Sequence, residues 1–424
     1  LPLPSLVLQR ILHNFAARLA TALLNFGVVW LTARYLGAAG RGAVSLFVTD
    51  CALLLLFIGL LGGSSLIYLA PRRNVWHLLL PAYGWATLVC LAGAGLLAQV
   101  RAAPPAYWLH LAALALLQAL FSINTSLLLG RRQERLYNAL TVTHVGLLAL
   151  LLGAAFTGGH ASVAVYFQAA YVAYGLPLLA SSVALLRLPD PRRRRWRRLR
   201  ATARELARHS RGAHLSNLLT FINYRLSYYF VAHYADAQAV GVLSVGVALA
   251  EAVWLIPRST ALVQYVELVH NAGQGRPQLA AARLTLLGTG AAVLGLVALP
   301  PAVLGGVFGP EFAAARPVLL LLAPGVLLVT VQMLCSSYFA GRAHYRINNL
   351  AALVGLLVTV PACWLLIPRL GIRGAAAASS LSYLASAGFL FFHFRRATGA
   401  GVRALLPRPA DLAPLRQLLP VRPK

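Results

Sequence analysis

Long stretches of this chain contain no charge at all. Thr87–Val100, Leu111–Leu129 and Leu284–Gly306 hold neither an acidic nor a basic residue. Such runs approach or match the ~20 apolar residues that cross a bilayer as a helix. Inside hydrocarbon every backbone N–H and C=O needs an internal partner, so only helices and closed barrels can span. The runs lack the strict alternation of a barrel strand, which leaves helices. Composition agrees: 59% of the 424 residues are apolar and 11% charged, too little polar surface for a protein bathed in water. The predicted fold class is an all-α polytopic membrane protein.

Apolar runs near 11–34, 42–70, 75–100, 106–129, 137–157, 162–187, 209–234, 239–268, 279–305, 316–340, 347–368 and 373–396 give about twelve transmembrane helices. The first carries Arg18 and no small-residue cleavage pattern, so it reads as a span and not as a cleavable leader. The halves echo each other. Tyr35-LGAAGRGAVSL-Phe47 returns as Tyr234-ADAQAVGVLSV-Gly246, and Gly130-RRQERLY-Asn138 as Gly341-RAHYRIN-Asn349. A duplicated bundle with an even number of spans per copy gives two parallel six-helix lobes, the pattern of transporters with a central site. The expected organisation is an N-terminal lobe (1–187), a basic linker (188–208), a C-terminal lobe (209–396) and a tail (397–424).

The formal net charge of +28 would point to nucleic acid in a soluble protein. Here the bases sit between spans, where the positive-inside rule puts them, so no nucleic-acid partner is expected. One set of alternate loops holds Arg72 and Arg73, then Arg131, Arg132 and Arg135, the run from Arg192 to Arg208, Arg276 and Arg283, and Arg342 and Arg346. The other set is poorer in arginine, with Arg34 and Arg41, Arg101, Arg316, and Arg369 with Arg373. This bias puts both termini in the cytoplasm, and the skew to Arg over Lys, with Lys424 the single lysine, points to a GC-rich bacterial genome. In the linker, Trp196, Leu199, Ala203 and Leu206 recur at helical spacing among arginines. That pattern predicts an amphipathic helix lying on anionic membrane lipids through 192–208. The tail is rich in Pro and Arg and is expected to be disordered.

Nothing resembles an active site. The nine acidic residues are scattered, the eleven histidines lack ligand spacing, and no nucleophile or phosphate-loop motif is present. No enzyme activity, catalytic residue, metal or cofactor is predicted. Cys51, Cys90, Cys335 and Cys363 fall singly inside apolar spans, as packing residues do. Ionisable residues within spans are the exception, because each is costly unless it meets a partner or a wet cavity. Arg18 and Asp50 lie in the first two spans, Arg225 and Glu251 in spans seven and eight. At ~1.5 Å per residue, Arg225 and Glu251 fall within ~6 Å of one depth, whereas Arg18 and Asp50 differ by ~12 Å. Two readings stand: structural ion pairs, or a cationic cavity for an anionic head group in which Asp50 or Glu251 couples ions. An arginine fork suits phosphate. Asn14, Asn25, Asn217 and Asn223 on the same helices offer hydrogen bonds to sugars or between helices. Arg258, just after Pro257, can snorkel to the interface.

Arg34-YLGAAGRGAVSL-Phe47 after a first span with an internal Arg resembles the multidrug/oligosaccharidyl-lipid/polysaccharide exporter superfamily. The segment from Gly212 to Arg258, with Phe308-GPEFAAARPVLLLLAPG-Val326 and Leu366-IPRLGIRGAAAASSLSY-Leu384, is similar to its polysaccharide flippase branch. Where that branch often has an acid after YRL, this chain has Ser227. The resemblance implies a cavity between two lobes, lined by the first and seventh helices, with Arg18, Asn217 and Arg225 facing it and Asn25 nearby. It also implies a polyprenyl-diphosphate-linked oligosaccharide flipped to the periplasmic leaflet for lipopolysaccharide or another surface polysaccharide. Polysaccharide polymerase and glycosyltransferases would be its partners. A cation-coupled small-molecule antiporter of the same superfamily and a membrane-embedded glycan polymerase are the alternatives.

Overall fold

Every element of regular structure among the described residues is helical. The structure, a computed structural model, describes residues 3–190, 199–270, 279–342, 344–406 and 411, with side chains omitted at 3–12, 212, 213, 266, 267, 269 and 270. The chain divides into two compact units, Leu1–Leu218 and Leu219–Lys424.

The first unit opens with α1 (Leu3–Ile58), which is two arms joined at Gly37. With φ 67 and ψ −177, Gly37 occupies a region open only to glycine, and the second arm departs there. The second predicted span does not run unbroken to residue 70. It ends at Ile58, and a short α2 (Ser64–Leu69) follows Gly63 (φ 57), another left-handed glycine. Then come α3 (Val75–Val100), α4 (Pro105–Gly130), α5 (Glu134–Thr157) and α6 (Val163–Arg187). Their starts follow from local chemistry. Asn74 accepts the N–H of Trp76 at 3.0 Å and Ser162 that of Val165 at 3.2 Å. Pro105 occupies a first turn whose N–H groups have no helical partner.

The next helix, α7 (Leu199–Tyr234), overruns the predicted boundary at 209. Its 36 residues make about 54 Å of helix, well beyond the ~30 Å of hydrocarbon. The linker residues from 199 onward are therefore the first turns of this span and do not form a separate surface helix. Their apolar side also faces protein: Thr202, Leu206 and Ser210 are buried, and Leu206 joins the core of the first unit. Burial against packed helices replaces the lipid contact expected of Leu206. Trp196 and the arginines of 192–198 lie outside the described residues. Glu205 and Asp190 fix this region to the first unit, through Arg73 at 2.8 Å and Arg131 at 2.8 Å.

The second unit continues with α8 (Ala237–Val253), α9 (Leu255–His270), α10 (Leu279–Ala298), α11 (Pro301–Phe308), α12 (Arg316–Gly341), α13 (Tyr345–Leu370) and α14 (Ile372–Thr398). The eighth predicted span is α8 plus α9, bent by 41° at Trp254. Pro257 has no N–H to give the Val253 carbonyl, and the ladder breaks there. The ninth stops at Ala298 before Pro300 and Pro301. Of the predicted tail, Gly399 (φ 72) caps α14 and a 3-10 turn follows at Val402–Ala404, while 407–410 and 412–424 lie outside the described residues.

Small residues let the helices approach. A Cβ on Gly130 would lie 2.6 Å from the Cβ of Ala70, and one on Gly341 would lie 2.8 Å from that of Leu268. The second sequence echo is thus a packing point, where the fourth span of each copy crosses the end of the second. Both copies also end that helix alike: Arg131 (φ −92, ψ 15) and Arg342 (φ −97, ψ 10) are its C-caps. In the first echo, Gly37 makes the turn of one copy and Asp236 that of the other, accepting the N–H of Ala239 at 2.7 Å.

Among the described residues nine helices are long and apolar enough to cross a membrane, and the α8–α9 pair adds a tenth. Dividing α1 at Gly37 adds another. The twelfth span-length helix, α7, is too polar for that test, and Asn217 and Arg225 of the predicted site are among its polar residues.

Candidate functional site

The first arm of α1 carries a polar stripe. Asn14, Arg18, Thr21 and Asn25 fall within an arc of about 60° at ~100° per residue. Asn14 is tied down, accepting a hydrogen bond from the Asn138 amide of α5, and the Thr21 hydroxyl donates to the Ala17 carbonyl at 2.8 Å. Arg18 and Asn25 are exposed, and neither has a hydrogen-bond or ion-pair partner among the described residues. A guanidinium in a span without a countercharge needs water or an anionic ligand.

Asp50 belongs elsewhere. It is fully buried and accepts from Arg101 Nη2 at 2.5 Å and from the Tyr107 hydroxyl at 2.5 Å. Arg101 also donates to the Tyr107 oxygen at 2.7 Å and lies 5.5 Å from the Trp108 ring. Burial works against the charge on Arg101, but the Asp50 carboxylate and Tyr107 outweigh it and hold its pKa above the usual value. This network clips the second arm of α1 to the α3–α4 turn. Sequence reading gave Asp50 no partner because Arg101 looked like an ordinary loop arginine. Arg41 was likewise counted with the loops, yet it is buried and donates to Thr32 Oγ1 at 3.0 Å.

In the second unit Arg225 of α7 meets Glu251 of α8 as a fork, Nη1–Oε1 at 3.0 Å and Nη2–Oε2 at 3.2 Å. The pair is not sealed in: the side chains are 29% and 27% exposed. Tyr228 flanks it, with its ring 5.4 Å from the guanidinium. Tyr224, Trp254 and Tyr383 pack together beside it, with ring centroids 5.3 to 6.0 Å apart. The bend at Trp254 places that ring, and Arg258 lies 5.8 Å from it, exposed. Tyr224 and Tyr228, one turn apart on α7, were the available signal for this cluster, and distant Tyr383 had none.

Asn217, exposed on α7, has no partner among the described residues. Asn223 points to the other side of the helix, donating to the Ala352 carbonyl at 2.8 Å and accepting from Thr359 at 2.9 Å. Thr359 and Ser382 complete this buried network at 2.7 Å, so Asn223 joins helices. Among the described residues no three His, Cys, Asp or Glu side chains come together as metal ligands. The four cysteines are buried and unbridged.

No protein-family model and no curated protein sequence matches the chain. Solved structures do. The chain is similar to the lipid II flippase MurJ in an inward closed conformation, with a TM-score of 0.65 at 12% identity over 94% of this chain and 89% of that one. It is equally similar to an inward-facing multidrug resistance MATE family transporter of the MOP superfamily, with a TM-score of 0.65 at 16% identity over 90% and 96%. A MOP superfamily transporter from Pyrococcus furiosus, described as having a binding pocket of reversed polarity, matches with a TM-score of 0.57 at 15% identity over 92% and 94%. At such identities the likeness is one of fold. The chain has the all-α, twelve-helix, two-lobe membrane fold of these transporters.

Proposed function

We propose that this protein is a flippase for a polyprenyl-diphosphate-linked oligosaccharide. It carries the head group from the cytoplasmic to the periplasmic leaflet of a bacterial inner membrane by alternating access, in surface-polysaccharide biosynthesis. The observation that carries the reading is Arg18: a cation inside an apolar helix, exposed and without a counterion among the described residues. Asn25 continues its face two turns on. A sugar–diphosphate head group cannot cross hydrocarbon unaided, and a guanidinium with neighbouring amides offers what its phosphates and hydroxyls need. Within the second unit, Arg225 with Glu251 lies next to aromatic rings that can stack on sugars. Asn217 supplies a further free amide. The fold shared with a lipid II flippase supports a lipid-linked substrate. Glycosyltransferases and a polymerase would supply and consume it, and the bias of arginine between loops supports cytoplasmic termini. Arg200, Arg204, Arg208 and Arg211, exposed on one side of α7, can meet anionic lipid head groups where they leave the membrane.

The antiporter reading rests on the equal likeness to a MATE transporter. Glu251 is its available carboxylate, but Arg225 holds both oxygens. Proteoliposomes decide between the two. Wild-type protein should move a fluorescent diphosphate-linked oligosaccharide between leaflets, and Arg18→Gln and Arg225→Ala should not. Translocation no faster than in protein-free vesicles, together with cation-driven uptake of an organic dye, would establish the antiporter instead.

A further inference from the structure

The register that pairs Gly130 with Gly341 and Asn138 with Asn349 also pairs Phe121 with Gln332, Thr141 with Ala352 and His144 with Gly355. In the first unit this place is filled by rings. Phe121 of α4 and His144 of α5 lie 5.4 Å apart, and both pack on Tyr174 of α6, at 6.4 and 4.7 Å between centroids.

In the second unit the same place is polar and is not filled. Gln332 of α12, Ala352 of α13, Asn223 and Tyr224 of α7, and Tyr383 and Ser386 of α14 line a small cavity. Gly355 admits these polar groups: a Cβ there would collide with Ser386 Oγ and lie 3.3 Å from Asn223 Nδ2. Several polar atoms around the cavity lack a partner among the described residues. Gln332 Oε1 is buried and has no donor. The hydroxyls of Tyr224 and Tyr383 make no hydrogen bond. Asn223 gives one amide N–H to the Ala352 carbonyl at 2.8 Å and keeps the other. Ser386 donates to the Ala351 carbonyl at 3.0 Å, which leaves its oxygen free to accept. The indole N–H of Trp254, whose ring packs on both tyrosines, is a second buried polar atom without a partner.

We infer that this cavity is a water-binding site built into the second unit. Unmatched donors and acceptors face one small space, and a buried acceptor left without a donor is costly. A molecule that both donates and accepts matches them at once. The space open to the centre of a water molecule is about 20 Å³, where ~10–15 Å³ suffices for one water. That size admits water and excludes a sugar or an organic cation. The lining carries no charge, which suits a neutral ligand. The bound water joins α7, α12 and α14 and ties down Tyr224 and Tyr383, the rings beside the Arg225–Glu251 fork. Where the first unit packs this place with rings, the second closes it with a bond that can exchange.

Hydroxyl radicals made by X-ray pulses form at bound water as well as in bulk, and mass spectrometry reads the labelling rate of each tyrosine. The sample is the full chain in lipid nanodiscs. Tyr338 is the dry reference: it lies in the same unit, 1% exposed, packed on Phe339 and Phe394. Tyr383, 6% exposed, should be labelled roughly fivefold faster or more. Gln332→Leu, which removes the acceptor, and Ala352→Val, which fills the cavity, should each bring Tyr383 down to the Tyr338 rate. Gln332→Leu should also lower the melting temperature, because the bridging bonds go with the water. A dry cavity gives the reverse: Tyr383 as slow as Tyr338, and a melting temperature raised by Gln332→Leu because an unmatched acceptor is gone. Either result overturns the water site, and so does fast labelling of Tyr383 that both variants leave unchanged.

Discussion

A lysine at position 225 would keep the charge of the site and lose its fork. Arg225 engages both oxygens of Glu251, and an ammonium is a compact point charge that cannot span both in this plane. Arg225→Lys is therefore expected to retain a reduced flipping rate, and Arg225→Ala to abolish it. Removing the arginine leaves Glu251 poorly compensated, at a cost of about 2 kcal/mol for a pair this exposed. Arg18 should behave in the opposite way. With no partner to lose, Arg18→Gln should leave the melting temperature in detergent almost unchanged, within about 0.5 kcal/mol, while translocation fails. If that variant flips lipid normally, the polar stripe of α1 is not part of the path. Asp50→Asn is the structural contrast: Arg101 and Tyr107 lose a buried carboxylate, and the melting temperature should fall by the equivalent of about 3 kcal/mol. Helix depth in the sequence already set Arg225 beside Glu251, and the structure pairs them. It gave no sign of what Asp50 meets, because Arg101 and Tyr107 lie 51 and 57 residues away and no local pattern specifies such contacts.

The helices themselves were more legible than the charges, because apolar run length and punctuation are local. Twelve predicted spans fall on helices, and most ends lie at a Pro, a Gly or an N-cap. The misses share one physical origin: an end set by packing or backbone conformation instead of hydropathy. Gly37 ends the first arm of α1 through a backbone conformation that run length cannot reveal. The 41° bend at Trp254 follows Pro257 within an uninterrupted apolar run. The extension of α7 back to Leu199 is stabilised by Leu206 in the core of the first unit. Gly37→Ala should destabilise the protein by about 1–3 kcal/mol, since alanine resists this region. Gly130→Val should cost a comparable ~1–3 kcal/mol, because its side chain would press on the Ile67 backbone, whose carbonyl oxygen is 2.9 Å from a Cβ at that site. Thermal unfolding followed by circular dichroism measures both. A loss in the first variant and none in the second would mean that α4 can shift away from α2.

For the whole molecule, duplication is the organising fact. Each unit has the same helix order and the same C-cap conformation after its fourth span. Each also has an aspartate that returns from beyond its sixth span to the start of its third. Yet the polar chemistry of the two copies differs: one has a polar stripe whose single arginine has no partner among the described residues, the other an arginine–glutamate fork beside aromatic rings. Hydropathy, loop charge and the internal echoes were enough to read the membrane class, the number of spans, the repeat and the helices that bear polar residues. All of these follow from the cost of placing charge and unpaired backbone in hydrocarbon, which is paid residue by residue along the chain. Packing alone settles that Asp50 is consumed by Arg101, that Arg18 has no partner among the described residues, and that Asp411 pairs with Arg283. Which charges neutralise one another depends on distances between helices far apart in the chain, and those distances are set by packing.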